Sequence, residues 1–397
     1  MTVRNGREFL SIPGPTTVPD EVLAAMHRPA ADIYGAAMIA TTESCLADLK
    51  QVFRTAGRTF MYIGNGHAAW EAALSNVLSA GDTVLVLKSG RFAAGWGEMA
   101  AALGVRVETL ERDQRRAVDP AAVEALLRQD RAGRIKAILV VQVDTASGVV
   151  NDIPALRRAM DAAGHGALLM VDAIASLGTM PFEMDEWGVD VALTCSQKGL
   201  MMSPGLGFAA AGPKALAAHQ TAGLRTRYWD WTFRMGDEHY MKYCGTAPVH
   251  LLYGLRKSLD MLLAEGLANV FTRHRLLADA VRAAVAVWAK GGALDFNILE
   301  PAERANAVTT VLTGDANPAP LLAWCREKCG VVVGIGIGEL SGRAFRIAHM
   351  GHVNAPMVLG TLSVVEMGMQ ALAIPHVKGG AQAAIDSLAR AVPATGP

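Results

Sequence analysis

The sequence has no surplus of charge of either sign: Lys plus Arg and Asp plus Glu number 37 each over 397 residues. Such a balance sets up no global field toward nucleic acid or an anionic membrane, and neither is expected as a partner. No apolar run approaches the ~18 residues of a membrane span. The opening stretch "MTVRNGREFLSIPGP" has no apolar signal-peptide region, and the tail "PATGP" has no peroxisomal tripeptide. Cysteine is scarce and odd in number (Cys45, Cys195, Cys244, Cys325 and Cys329), which argues against a disulfide framework and fits a reducing compartment. Cys325 and Cys329 stand at i, i+4 in "CREKC" without the second ligand pair that a zinc site needs, so no metal is expected. Repeats and low-complexity segments are missing too. A soluble, cytoplasmic protein is the expectation.

What the chain does have is apolar mass: 51% of its residues are hydrophobic and only 19% charged. That composition builds a large core and argues against disorder. The length exceeds the ~250–300 residues at which single cores stop growing, so two domains are expected. After the proline-rich "IPGPTTVP" (12–19), residues 21–57 read as helix, with apolar positions at helical spacing. From residue 59 short apolar runs alternate with helical stretches. The runs are "TFMYIG" (59–64), "TVLVLKSG" (83–90), "KAILVVQVD" (136–144), "ALLMVDA" (167–173), "DVALTCS" (190–196) and "GFAAAG" (207–212). Near-continuous Val/Ile/Leu runs separated by helices are what a sheet buried on both faces requires. They predict a mainly parallel, doubly wound α/β domain, with room for an antiparallel strand among the last runs. A long helical stretch over 248–290, interrupted near Gly266, leads to a compact α+β C-terminal domain with strands near 307–313, 331–338 and 344–351.

Ligands bind outside the carboxyl ends of the strands in open α/β sheets, so polar residues there carry weight. Asp172 closes "ALLMVD", where a carboxylate needs a cation or several donors; capping the next segment would also explain it. Lys198 lies just beyond "DVALTC", in "TCSQKGLMMSPGLGF". Apolar surroundings lower a lysine's pKa, and a neutral amine forms Schiff bases with carbonyl compounds; a snorkelling surface lysine is the alternative. The glycine turn in "GNGHAAWEAAL" (64–74) opens a helix whose amides suit a phosphate group. It lacks the Lys-Ser/Thr pair of a Walker loop. The later "GIGIG" (334–338) is followed by another strand, so close backbone packing is expected there. His349 and His352 read as structural. A phosphate loop, a strand-end Asp and a strand-end Lys together fit pyridoxal 5′-phosphate (PLP): a lysine for the aldehyde, a loop for the phosphate and an Asp for the ring nitrogen.

The ordered set "IPGPTTVP", "GNGHAAWEAALSNVLSAGD", "DTASGV", "VDAIASLG", "SQKGLMMSPGLGF", "YCGTAPVHLLYGLRKSL" and "GRAFRIAHMG" covers nearly the whole chain. It resembles the class V (fold type I) PLP-dependent aminotransferases of the alanine–glyoxylate and serine–glyoxylate family. The resemblance implies a PLP-transferase fold of type I, with a mainly parallel seven-stranded sheet in a large domain and a smaller α+β C-terminal domain. It further implies residues 1–20 as a segment contacting the partner subunit, 21–265 as the large domain and 266–397 as the small one. Lys198 would hold the cofactor and shuttle the substrate proton, Asp172 would pair with the ring nitrogen, and Gln197 would contact the phosphate. Asn65, Gly66 and His67 stand where the family has Ser-Gly-His. Phe92 falls where an aromatic stacks on the ring, and Thr145 where a hydroxyl approaches the cofactor's 3′ oxygen; Ala146 replaces a second hydroxyl. Tyr243 and Thr246 match a pattern reaching the phosphate of the neighbouring subunit, so a homodimer with shared sites is implied. Arg346 matches the arginine that grips the substrate α-carboxylate, for which a planar bidentate fork is suited.

The implied activity is a ping-pong transamination from a small amino acid, such as serine or alanine, to glyoxylate or pyruvate. One strong carboxylate-binding arginine favours monocarboxylate substrates, unless Arg225 or Arg227 supplies another. "ADIYGAAM" (31–38) departs from the His-Arg-Ser-like pattern of serine–glyoxylate enzymes, which leaves the donor open; "YWDW" (228–231) reads as loop packing near the cleft. Pyridoxamine–pyruvate and ureidoglycine–glyoxylate transamination are further possibilities. A cysteine desulfurase-like lyase would need a nucleophilic cysteine on a mobile loop and a His before the lysine, where Gln197 stands. A non-catalytic PLP-binding sensor would need an appended DNA-binding module for which the chain has no spare length.

Overall fold

The computed structural model describes residues 2–111 and 113–392. Its strands, in chain order, are β1 (Phe9–Ser11), β2 (Arg58–Gly64), β3 (Thr83–Lys88), β4 (Arg106–Glu111), β5 (Ile135–Val141), the short pair β6 (Val143–Asp144) and β7 (Val149–Val150), β8 (Leu168–Asp172), β9 (Val191–Cys195), β10 (Gly205–Ala211), β11 (Asp295–Phe296), β12 (Val308–Leu312), β13 (Val331–Ile335) and β14 (Ala344–Ala348). Seven of them form one sheet in the order β2-β10-β9-β8-β5-β3-β4. Every neighbouring pair is parallel except those made by β10, which runs against both β2 and β9.

The apolar runs are continuous because both faces of this sheet are covered. Along β3 the side chains alternate between two cores, Leu85 and Leu87 entering one and Val84 and Val86 the other. Ile138 and Val140 of β5 join the first core, Ala137 and Leu139 the second. That period-two partition across a two-sided sheet accounts for the unbroken hydrophobicity.

A second sheet of five strands has the order β1-β13-β14-β12-β11. The helices Val249–Glu265 and Leu267–Trp288 precede most of it, separated at Gly266, whose φ of 81° suits glycine. Strand β1 comes from the other end of the chain and pairs in parallel with β13. Three residues are too short to leave a periodicity, and the sequence pattern contains no sign of this pairing. The helix expected over 21–57 is two helices, α1 (Asp20–Met26) and α2 (Ala36–Phe53). The intervening "HRPAADIYG" contains Pro29 and ends at Gly35, both poor in helix interiors. Strand β4, "RVETLE", escapes the pattern because it is an edge strand with polar, partly exposed positions.

Candidate active site

The carboxyl ends of β2, β5, β8 and β9 meet around one cavity of about 300 Å³, lined by Asn65, Gly66, His67, Trp70, Phe92, Thr145, Asp172, Cys195, Gln197, Lys198 and residues of the N-terminal segment. Strand β2 delivers Asn65 to the N-cap of α3 (Gly66–Val77), where its Oδ1 accepts the amide of His67 at 3.0 Å. Gly66 opens the helix against the loop after β8, and a Cβ there would lie 2.5 Å from Ile174 Cδ1. Glycine is therefore required at this contact, and the first-turn amides of α3 carry the positive end of the helix dipole.

Asp172 ends β8 fully inside the protein, 2% exposed. Its Oδ1 accepts the amide of Ile174 and its Oδ2 the indole Nε1–H of Trp70, each at 2.7 Å. Burial pushes this carboxyl up to about 7, against the pull of those two donors and of Lys198. Lys198 lies three residues beyond β9. Its amine donates to the carbonyl of Pro13, and burial holds it below the usual lysine range. The stretch around Pro13 packs tightly: Gly14, with φ 105°, leaves no room for a Cβ, which would sit 2.6 Å from Lys198 Cε and Nζ. Gln197 Oε1 is buried with no hydrogen-bond partner among the described residues.

Asp144, closing β6, is fully buried. Its Oδ2 accepts the amides of Phe92 and Ala93, at the start of α4 (Arg91–Ala102), at 2.9 and 3.1 Å, and its Oδ1 that of Ala146 at 3.0 Å. This one carboxylate fixes the backbone on either side of Phe92 and Thr145. Arg346, on β14, donates to the carbonyls of Thr145 (2.9 Å) and Ile335 (2.6 Å). Arg346 is 7% exposed, and burial pushes its guanidinium down to about 10 while Asp144 opposes the shift.

The structure thus brings Asn65, Gly66, His67, Phe92, Thr145, Asp172, Gln197 and Lys198 to one cavity, with Arg346 beside it. It does not bring Tyr243 or Thr246 there. Tyr243 is 1% exposed and its hydroxyl bonds Thr42 at 2.8 Å, whereas Thr246 is exposed. Of the aromatic loop, Trp231 donates to Tyr62 and Trp229 to Glu71, so both pack outside the cavity lining. Arg225 bonds its own loop and Arg227 lies over Phe233. Close backbone packing does surround "GIGIG": a Cβ on Gly334 would meet Pro13 and the Arg346 carbonyl at 2.9 Å. His349 is buried against Thr309 and Asn306, and no group of three metal-ligating side chains occurs among the described residues. Cys325 is buried under α-helical packing and does not line the cavity. No helix of the described residues is long and apolar enough to cross a membrane.

Two site residues, Trp70 and Asp144, escaped the sequence reading. Each left a signal: Trp70 stands one helical turn after His67 in "GHAAW", and Asp144 ends an apolar run as Asp172 does.

A doubly wound sheet with a lysine and an aspartate at its carboxyl edge, joined to a second sheet built late in the chain, is the fold type I transferase architecture. Within it the chain belongs to the class-V aminotransferase family, whose model matches residues 9–343. It is 38% identical to the serine–glyoxylate aminotransferase of Methylorubrum extorquens, over 99% of this chain and 98% of that one. It is 36% identical to the L-aspartate–glyoxylate aminotransferase of Paracoccus denitrificans, over 94% of each. The crystal structure of pyridoxamine–pyruvate aminotransferase from Mesorhizobium loti superposes with a TM-score of 0.90 at 26% identity, covering 99% of this chain and all of that one (100%). The protein is an aminotransferase.

Proposed function

We propose that the protein transfers the amino group of a small amino acid to glyoxylate or pyruvate, in a ping-pong cycle with PLP. The observation that carries this reading is the convergence of the Lys198 amine, the Asp172 carboxylate and the Asn65–His67 helix start on a single cavity. The residues present fit the cofactor: Gln197 lines the cavity with a side-chain amide whose N–H groups can donate to a phosphate, and Gly66 keeps the helix start free of a side chain. When bound, the cofactor supplies an aldehyde for the amine and a ring that takes up the electrons of the substrate Cα–H bond.

The chain's own residues would act as follows. The start of α3 and Gln197 hold the phosphate. Asp172 holds a proton on the ring nitrogen by presenting a negative charge in a dry setting. Phe92 and Thr145, which line the cavity, would help hold the ring. Lys198, its amine held below the usual lysine range by burial, would hold the cofactor's aldehyde and move the substrate's Cα proton. Arg346, already anchored on two carbonyls, turns its fork to the α-carboxylate with little ordering left to lose. We further propose a homodimer in which Thr246 and, on release from Thr42, Tyr243 reach the neighbouring subunit's phosphate. Residues 1–20 would contact the partner, ahead of a large domain at 21–265 and a small domain at 266–397. The relatives' substrates support serine or aspartate as donor and glyoxylate as acceptor. The likeness to the pyridoxamine–pyruvate enzyme keeps pyridoxamine as a second donor to test.

A half-reaction screen tests the reading. Serine, alanine, aspartate and pyridoxamine are each mixed with the PLP-loaded protein, and loss of its yellow absorbance is followed. Bleaching by a small amino acid, with recovery on adding glyoxylate or pyruvate, is expected. Sulfide release from cysteine without any bleaching by the other donors would overturn it.

A further inference from the structure

Trp70 is 1% exposed, and its indole donates its one polar hydrogen to the strand-end carboxylate, Nε1 lying 2.7 Å from Asp172 Oδ2. The ring is clamped in place: it stacks on Trp96 at 6.0 Å and 16°, and meets Phe92 edge-on at 6.4 Å. It therefore aims its N–H with little freedom. Tryptophan offers a donor only; it neither accepts a proton nor titrates. A histidine at such a point would gain and lose charge near neutral pH, whereas an indole gives Asp172 the same partner at every pH.

We infer that Trp70 is a positioning residue that locks the Asp172 carboxylate in one orientation and favours its ionised form, so that it holds a protonated ring nitrogen. This rests on the PLP reading above and deepens it. The two carboxylate oxygens each take one donor, Ile174 N–H and Trp70 Nε1–H. Each has a lone pair left for a cationic N–H. Burial is the main force opposing ionisation, with Asp144 adding to it and Lys198 working against it. Trp70 offsets part of that burial, because without its donor Oδ2 would have no hydrogen bond among the described residues.

The test is cofactor affinity measured by titrating the cofactor-free protein, with PLP and with its carbon-for-nitrogen analogue 1-deazapyridoxal phosphate. Trp70→Phe removes the donor and keeps a ring. It is expected to weaken PLP about tenfold to a hundredfold, the range for losing a hydrogen bond to a charged group, and to leave the deaza analogue within about twofold. In an Asp172→Asn background the same substitution should change PLP affinity little, since its effect runs through the carboxylate. Equal losses for both ligands, or an undiminished loss in the Asp172→Asn background, would make Trp70 a packing residue and overturn the inference. Should Trp70→Phe not fold, Trp70→Met refills the space without a donor and is read by the same ratio. A wild-type protein that binds neither ligand would instead bring down the PLP reading itself.

Discussion

Thr16 and Lys198 stand 182 positions apart in sequence, yet the Thr16 hydroxyl donates to the lysine's main-chain carbonyl at 3.1 Å. The Thr16 amide donates to the Gln197 carbonyl at 3.1 Å, and the Lys198 amine itself reaches back to Pro13. The N-terminal segment is thus a wall of the cavity, laid directly against the Lys198 side chain.

Gly14 makes that wall possible. Gly14→Ala would set a methyl 2.6 Å from the lysine's Cε and Nζ, at a φ of 105° that L residues avoid. The lysine must give way. A fall in kcat of about tenfold or more is expected, with slower uptake of PLP. Steady-state rates and the time course of the yellow absorbance check both; unchanged values would show that the segment is not apposed to Lys198.

Lys198→Ala removes the amine and leaves the cavity. Loss of the yellow absorbance is expected, together with a fall in turnover of about a thousandfold or more, the scale of a missing nucleophile and proton carrier. An active Lys198→Ala protein would sink the mechanism.

Asp172→Asn separates function from stability. The buried carboxyl titrates at about 7 in the folded chain against an ordinary 3.8. Its ionisation therefore opposes folding, increasingly so as pH rises from about 4 to 7. The cofactor-free variant should be more stable than wild type by a few kcal/mol at pH 8, with a smaller gap at pH 5, while losing about a hundredfold or more in kcat. Urea midpoints at the two pH values give the comparison; a gap that does not depend on pH would refute it.

Arg346→Lys keeps the charge and loses the fork. The variant should raise KM for amino and oxo acids about tenfold to a hundredfold. Amines without a carboxylate should be used as before, and equal losses for both kinds of donor would contradict the assignment.

His274 and His349 predict an acid limb. His274 donates from Nδ1 to Val270 and accepts the Gly351 amide at 2.9 Å, while His349 lies between Thr309 and the Asn306 carbonyl. Both rings are held neutral, burial pushing them down to about 4 and about 3. An unfolded chain protonates them near pH 6.5, so it binds more protons than the folded one below that point. The contribution of these two rings should be complete above about pH 6.5 and fall by several kcal/mol toward pH 4, against the opposite slope from Asp172. His274→Gln should flatten that decline in urea titrations; an identical slope would assign it elsewhere.

The sheet and the site floor were legible in the sequence because both-faced burial writes unbroken Val/Ile/Leu runs, and because charged groups at the ends of such runs have few harmless explanations. Asp172 and Lys198 stood out on those grounds, and the Asn65–His67 turn by its glycines ahead of a helix start. Trp70 did not, since an indole at helical spacing reads as core, and here it is both core and donor. Strands β1 and β4 were hidden for opposite reasons, one too short for a period and the other an edge with polar positions. The bond from Tyr243 to Thr42 depends on where a loop returns beside α2, a distance that no local pattern encodes.

The parallel pairing of β1 with β13 also sets an order of assembly on the ribosome. Phe9–Ser11 are made ahead of every other strand among the described residues, but their partner Val331–Val333 emerges more than three hundred residues after them. Until then the stretch that walls in Lys198 has no sheet to hold it. The seven-stranded sheet draws only on strands up to Ala211 and can form first. The nascent chain would therefore carry its lysine in an open cavity while more than a hundred further residues are made, and the second sheet closes it.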